Sequence, residues 1–261
     1  MEIQQLLADI DHRKALLDVY RPLTRGETER LRDEFIIGFT YNSNAIEGNT
    51  MTLDETALVL RDGVTIGGKS LKDHMELIGH RDACLFVEDL VREAAPLSEK
   101  HILDIHSLVL MDRREDRGVY RRVPVTITGT RAELPQPWAV PVEMEKLLAE
   151  YHGEMQNRHP MERAALFHLR FESIHPFIDG NGRTGRLLMN LELMKEGFPP
   201  IDVKFQDRVR YMACFRAWNT DKNTGPLIML IGEYMTNRLD EYLRILAIAN
   251  GYHQGPEMKM L

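Results

Sequence analysis

Cysteine is scarce in this chain of 261 residues: there are two, Cys84 and Cys214, both in apolar stretches of helical spacing. They supply neither a disulfide framework nor a metal-binding spacing, so buried free thiols are the expectation. Basic residues are too few for a general nucleic-acid binder. The 33 Lys and Arg face 40 Asp and Glu, a net charge of −7, where such a protein carries a basic face. Long apolar runs are missing as well: Leu227 to Ile231 and its like fall far short of the about 20 residues that a membrane span needs. The start, Met1-Glu-Ile-Gln-Gln5, has neither the basic nor the apolar region of a signal peptide. We expect a cytoplasmic protein with no membrane segment, and a self-similarity at about 34 residues, the mark of tetratricopeptide arrays, is absent.

What is there is ordinary for a soluble globular chain with a full core: 43 % hydrophobic and 28 % charged residues. Helical periodicity dominates. Ile3, Leu6, Leu7 and Ile10 open one helix over 2–20, and Leu31, Phe35, Ile36 and Phe39 mark a second over 27–46. Thr52-Leu-Asp-Glu55 is a capping box, and Ser70 and Ser98 cap helices to about Glu93 and Met111. Further helices are expected from Pro141, from Pro160, from about Arg183 to Gly197, over 206–219 and from Pro226 to Asn250. His74, His80, His101 and His106 lie on or near these helices without a ligand spacing. The cluster Arg113-Arg114, Arg117 and Arg121-Arg122 reads as a solvated loop. One stretch breaks the pattern. Val123, Val125 and Ile127 alternate with Pro124, Thr126 and Thr128, the period of a half-exposed strand, and a turn near Gly129 predicts a returning arm. An exposed edge of that kind can hold an extended segment of another protein.

The chemistry is concentrated in His175-Pro-Phe-Ile-Asp179-Gly180-Asn181-Gly182-Arg183-Thr-Gly-Arg186. Gly180-x-Gly182-x-x-Gly185 matches the dinucleotide fingerprint by letter, but that motif follows a strand, and here a helical pattern from Pro160 to Phe171 precedes it. A loop feeding a helix N-terminus is the better reading. Gly180 and Gly182 let backbone N–H groups converge on an anion, and the helix end adds its dipole. Arg183 and Arg186 share one face near that end and suit a polyphosphate. Asp179 would repel phosphate unless Mg2+ lies between them, held by one carboxylate and phosphate oxygens. His175 can then act as a general base at neutral pH.

These letters fit HPFx[D/E]GNGRxxR, and the chain thereby resembles the Fic family of AMP-transferases from about residue 35 to about 235. Ser43-Asn-Ala-Ile-Glu47-Gly48 also fits the [S/T]xxxE[G/N] inhibitory motif of members whose inhibitory helix precedes the core. The longer run Ala45 to Thr52 is similar to metazoan members that modify an Hsp70 chaperone. The resemblance implies a mainly α fold, a Fic-type helical bundle with one β-hairpin flap. Its parts would be an N-terminal helical region over 1–95 with the inhibitory motif at 43–48, a Fic core over 96–235, and a helix end and tail over 236–261. It implies transfer of AMP from ATP, with Mg2+, to a Ser, Thr or Tyr hydroxyl of a target protein. His175 would be the base, Asp179 the metal ligand, and Gly180, Asn181, Gly182, Arg183 and Arg186 the phosphate cradle. Tyr211 and Asn219 would border adenine, and Val125, Thr126, Ile127 and Thr128 would line the flap that pins the target. Glu47 would pair with Arg186 and inhibit, and could also help water remove AMP. Family members dimerise; nothing in this sequence decides that for the chain. The competing readings are a nucleotide-sensing regulator without transferase activity and a Fic transferase of phosphate or phosphocholine.

Overall fold

A computed structural model describes residues 2–20, 25–126 and 133–249. Ten α-helices are formed among them: α1 (Ile3–Asp18), α2 (Arg25–Ile46), α3 (Leu53–Ala57), α4 (Leu71–Arg92), α5 (Glu99–Val109), α6 (Val140–His152), α7 (Pro160–Ile174), α8 (Asn181–Lys195), α9 (Arg208–Asp221) and α10 (Gly225–Ala249). Local chemistry sets many of their ends. The Thr52 and Ser70 side chains accept the backbone N–H of Glu55 and Asp73, and each acid returns the bond to its cap residue. A single π-type turn, Leu58–Asp62, extends α3 and stops at Gly63 in the left-handed region. No helix among the described residues is long and apolar enough to cross a membrane.

Two apolar cores flank α8. On one side Leu6, Ile10 and Leu17 of α1 meet Leu230, Met235 and Leu239 of α10, with Met189 and Leu193 of α8. On the other, Phe39, Val87, Ile102, Ile105, Leu147 and Phe171 enclose Leu187, Leu188 and Leu191. Cys84 and Cys214 are buried as free thiols. A helix covered on all sides normally carries no charge. α8 carries Arg183 and Arg186, each 1 % exposed, in its first two turns. Such charges persist in a core only when other groups pair with them, and the packing of α2 and α4 against α8 provides those partners.

The expected hairpin takes a different form. No β-strand occurs among the described residues; 123–126 run without ladder partners, and the turn with Ile127 and Thr128 lies outside them. The two described arms are nevertheless tied together. Arg121 donates from Nη1 to the Val123 carbonyl (3.4 Å) and from Nη2 to the Pro135 carbonyl (2.6 Å). The basic cluster is therefore not a solvated loop throughout. Arg121 is 4 % exposed and pins this segment to the loop that follows α7: its Nε donates to the His175 carbonyl at 2.8 Å.

Candidate active site

The loop from His175 to Gly180 is shaped by four restraints. α7 ends on His175 in the left-handed region (φ 49°, ψ 61°), and its N–H is kept by the Phe171 carbonyl at 2.9 Å. Phe177 is fully buried and stacks on the His106 ring, with centroids 3.6 Å apart. His106 Nε2 donates to the Asp179 carbonyl (2.9 Å) while Nδ1 accepts the Gly118 N–H (3.0 Å). The two bonds fix a neutral tautomer. Asn181 closes the loop, its side chain exchanging two 2.9 Å bonds with the Phe177 backbone. Both ends of that amide are thus engaged.

Gly180 takes φ 77° and caps α8, which therefore begins at Asn181 rather than near Arg183. Gly182 is not a turn residue. It lies inside α8, and a Cβ there would fall 2.2 Å from Glu47 Oε1. Its missing side chain is the space that the Glu47 carboxylate fills. The last turn of α2 reaches this point and holds Arg186. Nη2 donates to Glu47 Oε1 and to the Ser43 carbonyl, both at 2.8 Å, and Nε donates to Ser43 Oγ at 3.0 Å. Ser43 lies where a helix leaves its carbonyls without partners, so Arg186 also serves as a cation at the negative end of α2. Arg186 Nη1 is buried and has no hydrogen-bond partner among the described residues.

Arg183 points elsewhere. It pairs with Glu76 on α4 (3.1 Å) and with Asp179 (3.3 Å), and donates to Asn44 Oδ1 (3.3 Å). Asp179 is partly open. Burial works against its charge, but Arg183, the Gly180 N–H, Lys72 and Arg113 hold its carboxyl below the ordinary Asp range. No group of three or more His, Cys, Asp or Glu that could hold a metal occurs among the described residues. Asp179 alone fits the other mode of magnesium binding, one ionised hard oxygen donor completed by phosphate oxygens.

A cavity of about 540 Å³ opens beside this cluster. His175, Gly182, Arg186, Tyr211, Asn219, Glu47 and Glu172 all line it, with Leu134 at its rim. Tyr211 is 1 % exposed, shares a 2.5 Å hydrogen bond with His168 Nε2, and lies with its ring 5.7 Å from the Arg186 guanidinium. Of the sequence-predicted residues, Asp179, Gly180, Asn181 and Arg183 stand at the α8 N-terminus and do not line the cavity. Neither do Val125 and Thr126 of the expected flap; Glu133 and Leu134, on the returning arm, border it instead. Five contributors escaped the sequence reading: Ser43 as a direct partner of Arg186, Glu76, His106, Arg121 and Glu172. Two left a signal: Ser43 as the first letter of the motif that ends on Glu47-Gly48, and Glu172 in a Glu-x-x-His pair at helical i,i+3 spacing.

Burial lowers the pKa of both His106 and His168 to about 4. Each is neutral when folded and takes a proton when unfolded near pH 6.5, so their contribution is full above that pH and is lost as pH falls towards 4. Between pH 7 and pH 5 the unfolding free energy should fall by about 2 kcal/mol for each. Denaturant titrations at the two pH values measure it, and equal stability at both would refute the assignment of neutral rings.

Fold and site together define a class: a helical domain with a nucleotide-sized cavity at a helix N-terminus, whose buried arginine is held by the protein's own carboxylate. Residues 96–193 match the Fic/DOC family, so this part of the chain is a Fic domain. The chain is similar to the protein adenylyltransferase Fic of Nematostella vectensis, at 33 % identity over 92 % of this chain and 56 % of the relative. For the Drosophila willistoni protein of the same name the identity is 34 %, over 92 % and 48 %. The chain thus spans about half the length of the curated relatives it matches. Among solved structures, a Fic domain containing signaling protein from Bacteroides thetaiotaomicron superposes with TM-score 0.85 at 28 % identity, covering 91 % of this chain and 97 % of that one. Fic-1 of C. elegans (residues 134–508) gives 0.83 at 27 %, covering 95 % and 73 %.

Proposed function

We propose that this chain is an autoinhibited, magnesium-dependent protein adenylyltransferase that moves AMP from ATP to a Ser, Thr or Tyr hydroxyl of a target protein. One observation carries the reading: Arg186, buried and with one N–H group unpartnered, lies with His175 on a cavity of nucleotide size. The names of the metazoan relatives supply the reaction class. In this reading the first N–H groups of α8 and Arg186 receive phosphate oxygens, and Arg183 adds positive charge behind them. Tyr211 and Asn219 border the adenine. Asp179 would hold Mg2+, whose chemistry is to neutralise charge on the transferring phosphates. His175 takes the proton of the attacking hydroxyl. The described arms 123–126 and 133–135, tied together by Arg121, present backbone groups to an extended stretch of the target.

Residues 1–95 then form the regulatory region, 96–235 the catalytic core and 236–261 a helix end and tail. Glu47 is the brake, and from the same wall of the cavity it can orient a water that removes AMP from the modified target. A homodimer is compatible with this arrangement. The test is incubation with α-labelled ATP, magnesium and candidate acceptor proteins; label that never enters protein, with Glu47 removed, would end the proposal. Asp179→Ala should weaken magnesium-dependent ATP binding at least tenfold in calorimetry, and chelation should reproduce the loss in the unsubstituted protein. Equal affinity with and without the carboxylate would remove Asp179 as the metal ligand.

A further inference from the structure

Behind the candidate base lies a carboxylate that the reading above does not use. Glu172 occupies the last turn of α7, and the left-handed conformation of His175 turns the imidazole back over that turn. His175 Nδ1 comes within 3.4 Å of Glu172 Oε2. This is long for a hydrogen bond, as catalytic contacts often are before substrate closes the site. Both side chains are largely covered, 19 % exposed for His175 and 12 % for Glu172, and both line the cavity. Glu172 Oε1 and His175 Nδ1 are both buried without a hydrogen-bond partner among the described residues.

We propose, resting on the adenylyltransferase reading, that Glu172 is the positioning residue for His175. Its carboxylate accepts the Nδ1–H, which leaves the Nε2 lone pair facing the cavity. During transfer the target hydroxyl gives its proton to Nε2 as its oxygen bonds to the α-phosphorus. The bond from that phosphorus to the bridging oxygen breaks, and pyrophosphate leaves with the electron pair. The imidazolium so formed is balanced by Glu172 and later releases its proton to water.

The charges around Glu172 support an ionised group. Burial pushes its carboxyl up, but the contact with His175 and the Arg186 charge on α8 outweigh that and bring it below the ordinary Glu range. Tyr211 on α9 also faces it and stays protonated, its own pKa raised by burial. A neutral carboxyl could still accept the Nδ1–H through its carbonyl oxygen, but only the ionised group balances the imidazolium formed during transfer. The arrangement is the carboxylate–imidazole pairing that fixes a histidine's tautomer in other general-base sites.

The experiment is done in the Glu47→Gly protein, whose own transfer activity is measured first. If that protein does not transfer AMP, the underlying reading fails, and the test of Glu172 is decided by the imidazole alone, as described below. If it transfers, Glu172→Gln should lower kcat about 10- to 100-fold with KM for ATP changed less than twofold. Its acid limb in the pH–rate profile should move to lower pH, since a lost negative charge makes the imidazole easier to deprotonate. Glu172→Asp, which keeps the charge, should restore the limb and part of kcat. A Gln variant with the parental kcat and pH profile overturns the proposal. For any variant that fails to fold, the answer comes from nitrogen-15 spectra of His175 in the Glu47→Gly protein. A neutral ring protonated at Nδ1 upholds the pairing, and one protonated at Nε2 overturns it.

Discussion

Glu47→Gly should raise the rate of AMP transfer about a hundredfold. In the resting geometry Arg186 gives Nη2 to Glu47 Oε1 at 2.8 Å, and the carboxylate stands where a Gly182 side chain would be. Any triphosphate that approaches α8 meets that negative charge first. Arg186 is covered while Glu47 is open on one side. Breaking a partly buried carboxylate–guanidinium contact costs on the order of 3 kcal/mol, and a bias of that size is roughly a hundredfold in the competent population. Removing Glu47 does not release the arginine. The Ser43 carbonyl at 2.8 Å and hydroxyl at 3.0 Å still hold two of its nitrogens, so the guanidinium stays in place with Nη1 and the bond Nη2 gave to Glu47 available to a phosphate. The variant should also melt at a lower temperature, because a buried cation has lost its anion, and ATP should restore the difference. Initial rates with labelled ATP decide the matter; a rate equal to that of the unsubstituted chain would remove Glu47 from control.

Removal of the candidate base should have the opposite effect and a larger one. His175→Ala in the Glu47→Gly background is expected to reduce transfer by 10²–10⁴, the range attributed to a positioned general base. ATP affinity should stay within about twofold, because the phosphate contacts come from α8 and Arg186. A left-handed residue is a delicate place for a substitution. His175→Asn provides the control, since asparagine tolerates φ 49° better than alanine while lacking a base of comparable strength. Both variants should lose transfer alike. Persistent label in either, with normal melting, would move the proton to another acceptor.

Much of the architecture was legible because its signals are local. The caps at Thr52, Ser70 and Ser98 mark helix starts, and apolar spacing predicts the buried faces of α1, α2 and α7. The Glu47–Arg186 contact followed from two motifs, one at each end of the pair. What stayed hidden depends on tertiary placement. Arg121 looks like one more surface arginine until the fold brings it to the His175 carbonyl, 54 residues away. Glu76 gives no spacing clue that ties it to Arg183. The starting point of α8 was misplaced by two residues because Gly180, read as part of a loose nest, is the cap itself. Gly182 was read as a turn glycine for the same reason, although its function is to leave room for a carboxylate from another helix. The hairpin expectation rested on alternation in 123–128, which records which side chains face water but not whether a partner strand is present.

Gly182 has a consequence for how such a site can be switched. The carboxylate that fills its missing side chain is part of the same chain, so it competes with ATP as a tethered ligand at an effective concentration of about millimolar or higher. That concentration is set by where α2 stands, not by how much protein or nucleotide is present. Raising ATP a fewfold therefore raises the occupied fraction only fewfold, whereas moving the end of α2 away from α8 removes the competitor. A protein built this way is switched by the position of a helix, while the supply of its own substrate only scales its output.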